Sequence, residues 1–309
     1  MADETRLRRF FGSHFFWSFR RDVTAWGSAL ILIVLIVSSF GAPILAPHDV
    51  YDPASIDVLD AETPPIWMEG GNPEFLLGTD SQGRGLLSTM LYGMRVSVLI
   101  GLGAVALQAA LGILLGLMAG YMGRRIDSIL MRLADVQLSF STYMVAIFFG
   151  AVFQAAFGMG AYEDLAVPLL ILIIGFAEWP QYARTVRASV LSERKKEYVE
   201  AARVIGFKRS RIMWRHILPN SLTPVLVIST IQVANAIMSE AALSFLGLGM
   251  PVTRPSLGSL IKSGFDYIFS GSWWITLFPG IALVVLILTI NLLGDWLRDY
   301  LNPKLYKGS

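Results

Sequence analysis

Five stretches of this chain, residues 27–45, 96–120, 136–160, 217–239 and 267–294, contain no charged side chain. A bilayer core ~30 Å thick is crossed by about 20 apolar residues of helix, so each run reads as a membrane-crossing segment. A sixth stretch, residues 165–177, is short of a span and reaches the far side only by continuing past Glu178 through Trp179 and Pro180. The composition points the same way, with 54% apolar and 16% charged residues against roughly half and a quarter in soluble domains.

The positions of the charges decide whether the sixth segment crosses, because Lys and Arg are retained on the cytoplasmic side of short loops. With six spans and both termini inside, the cytoplasmic segments hold 21 of the 25 basic residues, ten of them within residues 184–215; only Arg84, Arg95, Arg254 and Lys262 fall outside. Without the fourth span that ten-residue basic loop lies on the wrong face. The sequence therefore predicts an all-α membrane protein with six transmembrane helices. Residues 1–26 form a cytoplasmic or interfacial leader, 27–45 the first helix, 46–92 an outside loop, 93–301 the transmembrane core and 302–309 a cytoplasmic tail. Five arginines precede the first span, which is longer than a signal-peptide core and reads as a retained anchor. Arg8-Arg9-Phe10-Phe11 and residues 15–21 interleave basic and aromatic side chains, as a helix in the headgroup layer does. The outside loop is rich in Pro, Asp and Glu and too long for a turn; it reads equally as a docking surface for an extracytoplasmic partner and as a solvated acidic loop.

Several functions are excluded. A net charge of +2 offers no concentrated basic face for nucleic acid. The chain has no cysteine, and His14, His48 and His216 are too scattered to form a metal site. The nearest approach to a phosphate loop, Gly206-Phe207-Lys208-Arg209-Ser210, lacks the Gly-Lys-Ser/Thr ending. There is no His-Glu-x-x-His run, no Gly-x-Ser-x-Gly elbow and no close carboxylate pair in a plausible cleft. The chain reads as no enzyme, with no cofactor of its own.

The informative stretch is the basic loop, residues 190–219. Tyr198, Ala202 and Ile205 recur at helical spacing, Gly206 is placed to stop that helix, and Pro219 to open the next span. The result is a short cytoplasmic knob joined to a transmembrane helix, an element able to pass movement from a motor protein into the membrane. Glu200-Ala201-Ala202, three residues, Gly206, and then Ile217-Leu218-Pro219 resemble the EAA loop of binding-protein-dependent ABC importers, with His216 in the usual isoleucine position. The resemblance extends over most of the chain, through Leu77-Gly78-Thr79-Asp80-Ser81-Gln82-Gly83-Arg84-Gly85, residues 91–97, residues 242–249 and residues 291–299. It is closest to the C-type permease subunit of dipeptide, oligopeptide and nickel importers, although Gly85 replaces the usual Asp and Pro255-Ser256-Leu257-Gly258 the usual Pro-Glu-Trp-Gly.

That resemblance implies the type I ABC importer permease fold, a bacterial inner-membrane location, a homologous second permease, two ATPase subunits that bind ATP and Mg, and a periplasmic substrate-binding protein. It implies alternating access driven by the ATPases. On the loop it places Glu200 at the edge of the ATPase contact, Ala201 and Ala202 against the ATPase groove, and Gly206 at the turn. The cargo is expected to be di- or oligopeptides, with nickel, glutathione, opines or small saccharides as alternatives. A rival of another class is a passive channel or export-pore component, which would copurify with no ATPase.

Ionisable groups inside a membrane are functional candidates by default. Glu178 and Glu240 sit inside the fourth and fifth spans, while Asp135 and Asp295 are expected to pair with Arg132 and Arg298 three residues away. Glu240, followed by small residues, reads as an interface with the second permease in preference to the pathway. Gln108, Gln232 and Asn235 read as interhelical bonds or cargo contacts. Gly112, Gly116 and Gly120 predict close helix packing within the subunit, and Pro279 a kink near the middle of the last span or a gate.

Overall fold

The structure is a computed structural model that describes residues 14–52 and 56–301. The expectations for residues 8–11 and for the tail 302–309 lie outside the described residues. The main helices are α1 (His14–Arg21), α2 (Val23–Phe40), α3 (Leu86–Met122), α4 (Arg124–Leu138), α5 (Thr142–Glu193), α6 (Glu197–Val204), α7 (Thr223–Phe245), α8 (Leu257–Asp266) and α9 (Trp274–Leu301). The described residues contain no strand, only an isolated bridge between Thr79 and Gly85. By length and composition α2, α3, α5, α7 and α9 are able to cross a membrane.

Helix α5 is folded back on itself. The Thr142 hydroxyl donates to Glu178 Oε1, yet a straight helix would hold residues 36 apart at ~54 Å. The reversal is at Gly158, whose φ of 82° and ψ of 169° leave the helical region. No neighbour lies within 4 Å of a Cβ placed there, so glycine is required by the backbone angles and not by crowding. The sixth segment expected from the sequence is thus the second arm of a hairpin. It runs unbroken through Pro168 and Pro180 to Glu193.

Contacts at the two ends give the order of passes. The Arg194 guanidinium donates to Gly120 O (2.9 Å) at the end that carries the basic loop, and the Tyr162 hydroxyl donates to Leu248 O (2.7 Å) at the other. Asp127, Asp135 and Thr142 meet Arg187, Arg184 and Glu178 in turn, so α4 and the first arm of α5 together form one pass antiparallel to the second arm. With the hairpin counted as two arms, the five long apolar helices give six segments able to run between the two ends. The third pass is not the single span expected over residues 136–160: it breaks at residues 139–141, between the C-terminal cap Ser139 and the extended Ser141. Serines favour such ends because their hydroxyls compete with the helix for backbone partners.

The glycine stripe of α3 packs as expected. A Cβ at Gly112 would lie 2.2 Å from Tyr182 Cβ, at Gly116 2.5 Å from Ala183 O, and at Gly120 2.8 Å from Val190 Cβ. The second arm of α5 therefore lies directly on the α3 backbone, and the Tyr182 hydroxyl, bonded to Ser229 Oγ at 3.0 Å, ties α7 to the pair.

Four expectations are corrected. Asp135 pairs with Arg184 of α5 instead of Arg132. Asp295 and Arg298 form no ion pair with each other. Pro219 lies in a separate turn, Leu218–Ser221, and α7 opens at Thr223 with its own proline. Pro279 is the sixth residue of α9 and not near its middle. The outside loop is also no loosely solvated chain. Arg84 and Asp80 form a buried two-pronged ion pair with Nε–Oδ2 at 2.7 Å, the Trp274 indole donates to Thr79 O (3.3 Å), and Ser81 bonds Ser263 (2.8 Å). These contacts clamp the segment over α8 and α9.

Candidate functional site

At the basic end, α6 begins after the extended Lys196, carries Glu197 and Glu200 in its first turn and Arg203 in its last, and so complements its own dipole. Val199 and Ala202 are buried in the same apolar cluster as Ile212, Met213 and Ile217. The expected Tyr198, Ala202, Ile205 stripe is corrected accordingly. The inward face is Val199 and Ala202, so Ala202 is spent on the subunit's own core, while Glu200 and Ala201 are exposed together with Val204 (89%) and Ile205 (69%). The displacement has a cause: the chain after Gly206 returns as a π-helical turn, Ile212–Ile217, that lies under α6.

Gly206 closes the helix as expected. Its φ is +87°, its N–H donates to Arg203 O (3.0 Å), and the Phe207 N–H donates to Ala202 O (3.1 Å), the paired bonds of a left-handed C-terminal lock. Around it, the Tyr198 hydroxyl donates to Glu193 Oε2 (2.7 Å), and Asn220 donates to Tyr198 Oη (3.4 Å) and to His216 O (2.7 Å). Burial and the adjoining Glu193 carboxylate push the Tyr198 phenol up to about 12. The Phe207 ring stacks on His216 at 5.7 Å and carries the Arg211 guanidinium at 4.8 Å. His216 is thus a packing group.

In the middle of the bundle the break before α5 opens a polar cleft of about 200 Å³. It brings together three of the four expected pathway residues, Glu178, Gln232 and Asn235, with Gln108, Thr142 and Gln181. Glu178 is fixed by the Thr142 hydroxyl and by Gln181 Nε2 (2.5 Å), and Asn235 Nδ2 donates to Gln232 Oε1 (2.8 Å). Gln108 Nε2 donates to Ile174 O (3.3 Å), while its buried Oε1 has no partner.

Glu240 lies elsewhere. It is fully buried within this chain, accepting from Ser97 (2.7 Å) and Ser244 (2.7 Å), with Ser97 Oγ in turn accepting from Leu257 N (3.3 Å) and Ser244 Oγ from Met250 N (2.9 Å). The carboxylate joins α3, α7 and the start of α8. The expected place at a permease interface or on the pathway is corrected to an internal clamp, because no face of this group is left for a partner. Ser97, Ser244 and Ser256, the N-cap of α8, lie in runs quoted from the sequence but were not read there as belonging with Glu240. Only Ser244, four residues from Glu240, carried a local signal; Ser97 lies 143 residues away.

Residues 112–307 match the family described as binding-protein-dependent transport system inner membrane component, and residues 11–65 match the N-terminal TM domain of oligopeptide transport permease C. The chain belongs to this family of transport permeases. Among relatives of this permease, the "Di/tripeptide transport system permease protein DppC" of Pseudomonas aeruginosa is 38% identical over 94% of this chain and 91% of its own. The "Dipeptide transport system permease protein DppC" of Escherichia coli K12 is 39% identical over 94% and 92%, and that of Haemophilus influenzae 35% identical over 94% and 94%. A solved structure titled as an inward-facing MetNI methionine ABC transporter aligns with a TM-score of 0.56 at 16% identity, over 70% of this chain and 98% of that one. At that identity the likeness concerns the fold, which is that of an ABC importer permease.

Proposed function

We propose that this permease moves di- or oligopeptides through the bacterial inner membrane as one of two homologous membrane subunits, served by two ATPase subunits and a periplasmic binding protein. The observation that carries the cargo is near full-length identity of 35–39% to permeases named for dipeptides and tripeptides. ATP and Mg belong to the ATPases. The basic end faces the cytoplasm, as the charge bias requires, and so do both termini. There α6 docks on an ATPase through Glu200, Ala201, Val204 and Ile205, the exposed face of a helix whose other face is anchored in the bundle.

The test is reconstitution of the whole importer. Glu200→Arg changes an exposed residue and is expected to leave insertion intact while lowering binding-protein-stimulated ATP hydrolysis at least tenfold. Unchanged stimulation, or a mild-detergent pull-down that brings no ATPase, ends the proposal.

A further inference from the structure

We infer that the mid-bundle cleft is a subsite for a primary ammonium group, the amino end of a peptide in transit; this deepens the peptide reading above and rests on it. Glu178 is the charged group among the residues that line the cleft, and a carboxylate held inside a crossing helix needs a polar purpose to offset its desolvation. Its hydrogen-bond partners position it and bring no positive charge. Thr142 and Gln181 each supply one neutral donor, which occupies two of about four lone-pair directions on an ionised carboxylate. It remains partly exposed, so a ligand reaches it.

The rest of the lining is rich in acceptors. Gln108 is 1% exposed and lacks a partner at Oε1. Its amide orientation is settled by chemistry, since the atom facing Ile174 O must be the donor. The Asn235 amide nitrogen donates to Gln232, and its oxygen keeps its acceptor capacity. An ammonium group offers three donors and no acceptor, and answers this set. A carboxylate end would meet Glu178 as a like charge. A bare divalent cation asks for six or more oxygens in a tight shell, and a cleft of about 200 Å³ around a single carboxylate is too loose for one. The volume also falls short of the ~300–1,000 Å³ of pockets that enclose a whole small ligand, so the cleft takes one end of the cargo.

The assembled importer, in detergent and without binding protein, is titrated with glycylglycine and with N-acetylglycylglycine by saturation-transfer NMR. Peptide uptake and ATP hydrolysis are then followed in proteoliposomes. Glycylglycine is expected to bind in the millimolar range, and N-acetylation or Glu178→Gln to weaken binding at least tenfold. Glu178→Gln is expected to cut uptake at least tenfold with ATP hydrolysis within twofold of the parent, and Glu178→Asp to restore part of it. Asn235→Lys, a change at an exposed position, tethers an ammonium at the cleft and is expected to block uptake while hydrolysis continues. Equal binding of the two peptides, or parental uptake by both variants, overturns the subsite. So does loss of uptake together with hydrolysis in both, which assigns the residues to helix packing. A parent complex that hydrolyses ATP but takes up no peptide refutes the cargo, and one that assembles with no ATPase refutes the importer reading, separately from either result.

Discussion

Replacing Gly206 by alanine isolates one backbone angle. The φ of +87° is in the left-handed region, where an L residue costs about 1–2 kcal/mol through contact of its Cβ with the backbone. Nothing lies within 4 Å of a Cβ at this position, so no packing term adds to that figure. At 25 °C it corresponds to a factor of about 5–30 in the population of the locked helix end. The relief open to the chain is to release the lock, which exposes the amides of Gly206 and Phe207, bonded to Arg203 O and Ala202 O. Hydrogen exchange of the assembled complex, read on fragments spanning residues 205–208, is therefore expected to quicken about 5–30-fold at these amides in Gly206→Ala. Asparagine, which tolerates this region better, is expected to fall between glycine and alanine. If docking needs the closed helix, binding-protein-stimulated ATP hydrolysis falls by no more than the same factor. Val204→Ala, at a position 89% exposed, serves as the contrast, lowering stimulation with exchange unchanged. Parental exchange in Gly206→Ala would refute the claim that this angle holds the helix end.

Three further outcomes follow from the packing. Gly116→Val puts atoms into the Ala183 carbonyl, 2.5 Å from the Cβ position, and is expected to cost about 1–3 kcal/mol in thermal unfolding; Gly150→Ala, with nothing within 4 Å, is expected to cause no loss. Arg84→Ala leaves Asp80, 1% exposed, as a buried carboxylate without its partner; a loss of about 3–5 kcal/mol is expected, seen as protease sensitivity of residues 56–85, and Asp80→Leu with Arg84→Met is expected to recover much of it. The Tyr198 phenol is neutral when protonated and is raised from 10 to about 12, so its contribution is complete below pH 10 and fades as the pH rises through about 12; the exchange protection of α6 is expected to fall across that window in the parent, and Tyr198→Phe to flatten the profile.

That the chain is a series of long apolar helices was legible because hydropathy is a local sum. Where the hairpin in α5 turns was not. Glu163 and Asp164 lie between the two expected segments, 136–160 and 165–177, yet the turn is at Gly158 and both fall in the first turn and a half after it, where acidic side chains favour a helix start through the exposed N–H groups. The composition of a helix start and that of a loop are alike here, and only the glycine angle separates them. On α6 the glycine stop was legible, since it depends on one residue. Which alanine turns inward was not, since Val199 and Ala202 are claimed by Ile212, Met213 and Ile217, whose return path under the helix has no local code.

The two carboxylates inside the crossing segments show what the intramembrane rule does and does not separate. Both are polar groups in apolar helices, yet Glu240 is enclosed by serines of its own chain and Glu178 borders open space. Accessibility, not charge, distinguishes a clamp from a contact with cargo, and it is a property of the assembled bundle. The second arm of α5 then links the two ends of the proposed mechanism. From Glu178 to Glu193 it is 16 residues of continuous helix, ~22 Å from the first Cα to the last. Its far end bonds Tyr198 of α6 (2.7 Å) and its flank rests on the glycine backbone of α3. A helix held so closely along one side has little freedom to bend. On the docking proposed above, a push on α6 by an ATPase would reach the cleft as a shift of this arm against α3, with Thr142, on the opposite arm, the partner that Glu178 must part from or carry along.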